Sequence, residues 1–296
     1  MKKGNIEVAV KLDMSLGESP VWSVKNQTLH WVDINQGQIY TWSPSRNNAP
    51  TVVTLKEKIG CLALAGSGLL AATSSGFEYL PEQGSSKRLI SNPEWGGRQG
   101  NRLNDGRCDA VGRFWVGTIA DDEASPTASL YCLDNGKLEK RLSGIGISNG
   151  LAFSPDHRWL YHTDSLTRRI FRYSFDLETG ELGKGDVFVD LEQVGLPGVP
   201  DGAAVDAEGY YWSALYGGGR VVRFSPRGEL VEEYAVPCPH PTMLAFGGDD
   251  LRSLYITSAT QHLQAEEKLA FPYAGSLFKM HVSVPGLVEP SMQTVS

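Results

Sequence analysis

Apolar residues along this chain fall in short alternating runs broken by turns, and the runs themselves recur. Six segments share one form: a polar residue, a small residue, an apolar run, a turn, then a strand rich in aromatic and β-branched residues. They read GESPVWSVKNQTLHWVDI, GCLALAGSGLLAATS, LNDGRCDAVGRFWVGTI, SNGLAFSPDHRWLYHTDS, PDGAAVDAEGYYWSALY and PTMLAFGGDDLRSLYITSA. With Glu18, Gly60, Asp105, Asn149, Asp201 and Thr242 in register, the successive offsets are 42, 45, 44, 52 and 41 residues. The turns GSG (66–68), AVGR (110–113), SPDH (154–157), DAEG (206–209) and GGDD (247–250) carry residues that favour chain reversal. A third strand follows in each unit: GQIYTWSP, FEYLPE, SLYCLDNG, RIFRYSFD, RVVRFSPRG and SLFKMHV. Several of these alternate with period two, as half-buried strands do. No helical period lasts three turns, and HLQAEEKLA (262–270) is the best helix candidate.

A repeat of 40 to 50 residues with three to four strands per unit predicts an all-β six-bladed β-propeller. The ring is expected to close through the terminal segments, IEVAVKLDM (6–14) and VSVPGLVEP (282–290) pairing or lying together. The Gly/Pro-rich loops at 91–101 and 192–200 are too short to divide domains, so residues 1–296 are read as one domain.

Composition narrows the partners. The 296 residues are 41% hydrophobic and 21% charged, enough for a large core. Net charge is −7, with 27 basic and 34 acidic side chains and no basic run, which argues against nucleic acid or an anionic membrane as partner. The N-terminal MKKGNIEVAV lacks the apolar stretch of a signal peptide, and no run approaches a membrane span. Cytoplasmic location is the expectation. Cys61, Cys108, Cys132 and Cys238 form no CxxC pair and read as small buried hydrophobes, with a Cys108–Cys132 bridge as the alternative.

In a propeller the innermost strand of each blade lines the channel, so residues in register meet at one rim. Glu18, Asp105, Asn149 and Asp201 bring oxygen donors there, while Gly60 and Thr242 are small. Carboxylates converging without a cation repel one another, and a divalent metal is the economical remedy. Carboxylate and amide oxygens suit hard or borderline cations. His240, two residues before Thr242, is placed to approach the site. The plain alternative is that NDG, SNG and PDG are turn sequences and nothing more.

These residues resemble the gluconolactonase / senescence-marker-protein (regucalcin) family of six-bladed propellers. The resemblance spans nearly the whole chain and is carried by LGESPVW (16–22), RLNDGRCDAVGRFWVGT (102–118), SNGLAFSPD (148–156), PDGAAVDAEGYYWSALYGGGRVVRF (200–224) and PTMLAFGG. It implies one divalent cation at the channel mouth held by Glu18, Asn149 and Asp201, its identity open among calcium, zinc, magnesium, manganese and iron. It implies sugar-hydroxyl contacts from Arg102 and Asn104, and Asp201 as general base. Where vertebrate members carry a substrate-contacting Glu after the GT pair, this chain has Asp122, so the substrate does not transfer from them.

The activity so implied is metal-dependent hydrolysis of a sugar lactone to the aldonic acid, with a small-molecule lactone as partner. Which lactone, and which oligomeric state, stay open. Two rivals come from other classes. A non-catalytic calcium-binding propeller would have no need of Arg102 and Asn104. A phosphotriester or other ester hydrolase on the same scaffold would favour an apolar mouth. Several tempting residues carry less. Ser154 lacks the G-x-S-x-G pattern of a nucleophile elbow, and GGGR (217–220) lacks the Lys and helix of a phosphate loop. His30 and His162 are expected to tie blades together, while Trp95, before Arg98, is placed to wall a pocket.

Overall fold

The computed structural model describes residues 5–46, 48–96 and 100–293. Its strands form six antiparallel four-stranded sheets. The innermost strands are Gly17–Ser23, Ile59–Ala65, Arg102–Cys108, Ser148–Phe153, Val199–Val205 and Pro241–Gly247, opening blades 1 to 6 in chain order. Each innermost strand packs against those of the two neighbouring blades, and blade 6 returns to blade 1, closing the ring. This is the expected six-bladed propeller. The helix expected at 262–270 forms over Ala265–Ala270, and one further helical turn, Leu191–Val194, lies beside the 192–200 loop.

Every blade has a fourth, outermost strand that the repeat left out. Thr51–Thr54 is exposed along its whole length, and Lys137–Ile145 and Leu182–Asp190 are mostly exposed or half-buried. Blade 6 obtains its fourth strand from the other end of the chain: Glu7–Val10 pairs with Leu277–His281. The terminal segments therefore close the ring, but the C-terminal partner is the strand just before 282–290. Residues 285–293 instead cross the far end of the channel. They bond the chain at Leu64, Gly112, Ala207 and Leu251, and Glu289 pairs with Arg107 at 2.9 Å.

The core lies between the blades. Six clusters of buried side chains each fill one interface between neighbours, such as Trp115, Leu130 and Cys132 of blade 3 against Leu151, Phe153 and Phe175 of blade 4. All four cysteines are buried and free, so the alternative Cys108–Cys132 bridge is absent. His30 bonds Thr28 and Thr41, and His162 bonds Ser148 at 2.8 Å. Burial pushes both imidazoles down to about 4, which keeps them neutral.

The hairpin turns of blades 3 and 5 are braced by a buried aspartate. Asp109 accepts from Trp115 Nε1 and Arg113 Nε, and Asp206 accepts from Trp212 Nε1 (2.9 Å) and from Arg223 Nε (3.0 Å) and Nη2 (2.7 Å). Asp206 also takes the amides of Glu208 and Tyr210. Asp206→Ala removes the carboxylate that hydrogen-bonds the largely buried Arg223 guanidinium, leaving it only Glu208 and Glu232 at 3.8 Å. We expect a loss of about 3 kcal/mol in urea unfolding, and a loss below about 1 kcal/mol would contradict the brace.

Candidate functional site

A bulge interrupts each innermost strand at the same height, seen as a register break after Glu18, Ile59, Leu103, Asn149, Pro200 and Pro241. Bulges re-aim the side chains beside them. In blades 1 and 4 the residue after the rim position is left-handed, Ser19 at φ 49° and Gly150 at φ 56°. Glycine suits the second place, because a Cβ there would meet the Tyr211 hydroxyl at 2.5 Å. Glu18, Asn104, Asn149 and Asp201 are thereby brought to one cavity of about 240 Å³, together with Arg102.

The register holds with one correction. Asn104, Asn149 and Asp201 each lie four residues before the end of their strand. Blade 3 thus presents Asn104 at the rim, not Asp105, which does not line the cavity. Asp105 is buried instead, one oxygen accepting the Leu151 amide at 2.9 Å and the other without a hydrogen-bond partner. Burial raises its carboxyl to about 6, opposed by that amide and by Arg107.

The electrostatics of the cavity are set by two carboxyls. Glu18 is 8% and Asp201 7% exposed, and both are held well above the ordinary carboxylate range. For Glu18 the first cause is burial, followed by the charges of Asp201 and Asp105. For Asp201 it is burial, then Asp105. The Ser19 amide donates to Glu18 and the Gly202 amide to Asp201, offsetting part of this. Asn149 is oriented by a chain of bonds. Ser165 Oγ gives its hydrogen to Pro200 O and so accepts from Asn149 Nδ2 at 3.0 Å. That turns Asn149 Oδ1 the other way, where it accepts from Asn104 Nδ2 at 2.9 Å.

The buried donor set lining the cavity is therefore two carboxylates, Glu18 and Asp201, and the Asn149 amide oxygen, with the exposed Glu123 carboxylate at the same cavity. Among the described residues no three His, Cys, Asp or Glu side chains form a metal-binding group. Two buried carboxyls and an oriented amide oxygen are nevertheless donors of the type that hard divalent cations take.

Arg102 and Asn104 reach the cavity as one unit. Arg102 Nη1 donates to Asn104 Oδ1 at 2.7 Å and to Leu103 O at 3.1 Å. Asn104 spends both amide hydrogens on blade 4, at Ser148 O and Asn149 Oδ1. Asn101 answers a different need. It donates to Glu94 and to Thr127 O, and Glu94 also accepts from Thr118, Ser129, Tyr131 and Lys140. The polar run before this strand thus divides between tying down a loop (Asn101), furnishing the cavity (Arg102 and Asn104) and packing beneath it (Asp105).

Asp122 does not line the cavity. It is exposed, and its carboxylate accepts the Ala124 and Ser125 amides and the Ser125 hydroxyl within its own loop. Its neighbour Glu123, at φ 51°, lines the cavity instead. His240 sits behind the wall, its ring stacked on Tyr216 at 4.2 Å. Trp95 is exposed and outside the lining, and Arg98 lies outside the described residues. The residues that sequence reading missed are Glu123, Ser165, Tyr216, Gln261 and His262. One signal could have found them: each ends or follows the second strand of its blade.

Fold and site together define a six-bladed propeller whose mouth sets carboxylates and amides among the aliphatic side chains of Leu16, Ile34, Ile119, Ile147 and Val199. The chain belongs to the family described as SMP-30/Gluconolactonase/LRE-like region, whose model matches residues 16–260. It is 41% identical to the 6-deoxy-6-sulfogluconolactonase of Pseudomonas putida over 96% of this chain and 97% of that one. A pentonolactonase of Haloferax volcanii is 33% identical over 93% of each chain. Among solved structures, the calcium-binding protein regucalcin of Agrobacterium tumefaciens superposes with a TM-score of 0.93 at 30% identity, covering 99% of this chain and 100% of that one.

Proposed function

We propose that this protein hydrolyses a sugar lactone, opening the ring ester of an aldonolactone to the free aldonic acid. The chain is a hydrolase of carboxylic ester bonds by its family and its lactonase relatives. The observation that carries the finer reading is the meeting of Glu18, Asn149 and Asp201 with Arg102 and Asn104 in one cavity.

In this reading Glu18, Asn149 and Asp201 hold a divalent cation. When bound, that ion supplies Lewis-acid polarisation of the lactone carbonyl or acidifies a water. Asp201 takes a proton from the attacking water and returns it to the ring oxygen as the ester C–O bond breaks. Arg102 orients substrate hydroxyls and Asn104 holds Arg102 and Asn149 in place, so the reacting groups meet in a fixed geometry. Glu123 replaces Asp122 as the acidic group facing the substrate.

The test is acid release from a panel of five- and six-carbon aldonolactones, with chelated protein resupplied with calcium, zinc, magnesium, manganese or iron in turn. Cation-dependent turnover of at least one lactone is expected. A cation bound tightly with no turnover on any lactone would sink this reading and leave a non-catalytic cation-binding propeller.

A further inference from the structure

Tyr216, Gln261 and His262 line the mouth cavity, and the reaction as written makes no use of them. Gln261 and His262 follow the second strand of blade 6, Ser253–Ser258. In a six-membered ring blade 6 lies across the channel from blade 3, which supplies Arg102, Asn104 and Glu123. A sugar held at one end by blade 3 therefore presents its other end to this wall.

The wall is built to a single hydrogen-bonding pattern. Asn35 Nδ2 donates to Gln261 Oε1 at 2.6 Å, which fixes the Gln261 amide and turns its Nε2 towards His262. That nitrogen lies 3.2 Å from His262 Nε2. An amide nitrogen only donates, so His262 Nε2 accepts and the ring hydrogen sits on Nδ1. His262 Nδ1 then donates to Tyr216 Oη at 3.0 Å, and the tyrosine hydrogen goes to Gln261 O at 3.1 Å. His240, stacked parallel on Tyr216, backs the phenol ring. His262 is held at φ 69°, a left-handed conformation unfavourable for a residue with a side chain. Strain of this kind persists where the surroundings over-determine it, and such places cluster at binding sites.

This circuit leaves the second hydrogen of Gln261 Nε2 and the second lone pair of Tyr216 Oη unused, one donor beside one acceptor. A hydroxyl group is the smallest partner that satisfies both. We infer that the Gln261–His262–Tyr216 wall binds a hydroxyl on the edge of the sugar lactone opposite Arg102, and so selects lactones that carry it. The inference rests on the sugar-lactonase reading and adds the specificity determinant to it. A substrate lacking that hydroxyl leaves a donor and an acceptor unpaired, which is how polar sites reject deoxy analogues.

The experiment compares kcat/KM for the best lactone of the panel with that for each of its monodeoxy analogues. The wild-type protein should prefer the full lactone at least tenfold over one of them. His262→Gly tolerates the left-handed backbone, and Gln261→Ala serves as a second variant in case the first disturbs the loop. Each should bring the preference to within about threefold of unity, with folding checked by thermal melting. Lactone turnover with no wild-type preference, or with a preference that neither variant changes, overturns this inference and leaves the lactonase reading standing. No turnover of any lactone removes both.

Discussion

Asp201→Asn is expected to lower kcat/KM on the protein's lactone by about three orders of magnitude, the middle of the range for loss of a general base. The substitution keeps the size of the side chain and leaves an oxygen to accept the Gly202 amide. It removes the charge that takes the proton and one of the two buried carboxylates lining the cavity. Stability should move the other way. Burial holds the Asp201 carboxyl well above its ordinary range, with Asp105 adding to the effect, and Asp201 in turn raises Glu18. An ionised carboxylate there costs free energy in the cation-free fold. The Asn variant should therefore melt no lower than the wild type at neutral pH without added cation, while turnover collapses. Opposite movements of rate and stability mark a residue kept for function. A variant that retains a tenth of wild-type kcat/KM would remove Asp201 from the role of base. One that melts far below the wild type would show the carboxylate to be structural.

How much of this was legible beforehand depended on which side of a strand met the core. Innermost and second strands carry long buried runs, such as Arg102–Cys108 and Phe114–Ile119, and these set the repeat. Outermost strands such as Thr51–Thr54 face solvent and are held by backbone pairing, so no apolar pattern betrays them. The rim residues could be read because one bulge recurs in every blade. The slip from Asn104 to Asp105 came from aligning the Asp of NDG with the residues before glycine in SNG and PDG, whereas counting back from the strand end sets Asn104 level with Asn149 and Asp201. Glu123, Gln261 and His262 lie on the loops after the second strands of blades 3 and 6, where the place in the repeat is shared but no residue type recurs to mark it. Asp122 is placed at the site by the resemblance, but its loop takes up that carboxylate for its own turn, and the neighbouring Glu123, itself exposed, lines the mouth.

Removing the divalent cation should abolish turnover and also change how stability responds to pH. Several kcal/mol of transition-state stabilisation are lost with a Lewis acid, and on that scale residual activity falls by about 10³-fold or more. The sign of the pH effect follows from Glu18 and Asp201. Both carboxyls are raised in the folded protein, by burial first and then by neighbouring charge. The folded state therefore keeps protons at pH values where the unfolded chain, with carboxyls near 4, has lost them. Stability of the cation-free protein must then fall as pH rises from about 4 through the raised folded values. A cation competes with those protons, so its affinity should rise over the same window. At a hundred times its dissociation constant it restores about 2.7 kcal/mol, several degrees in melting temperature for a chain of this size. The measurement is a set of melting curves from pH 5 to 8 with chelator and with each cation. We expect a melting temperature that declines with pH in chelator, and a stabilisation by cation that grows with pH. A flat profile in chelator, unmoved by any cation, would free Glu18 and Asp201 from holding a metal and return the paired carboxyls to a purely structural account.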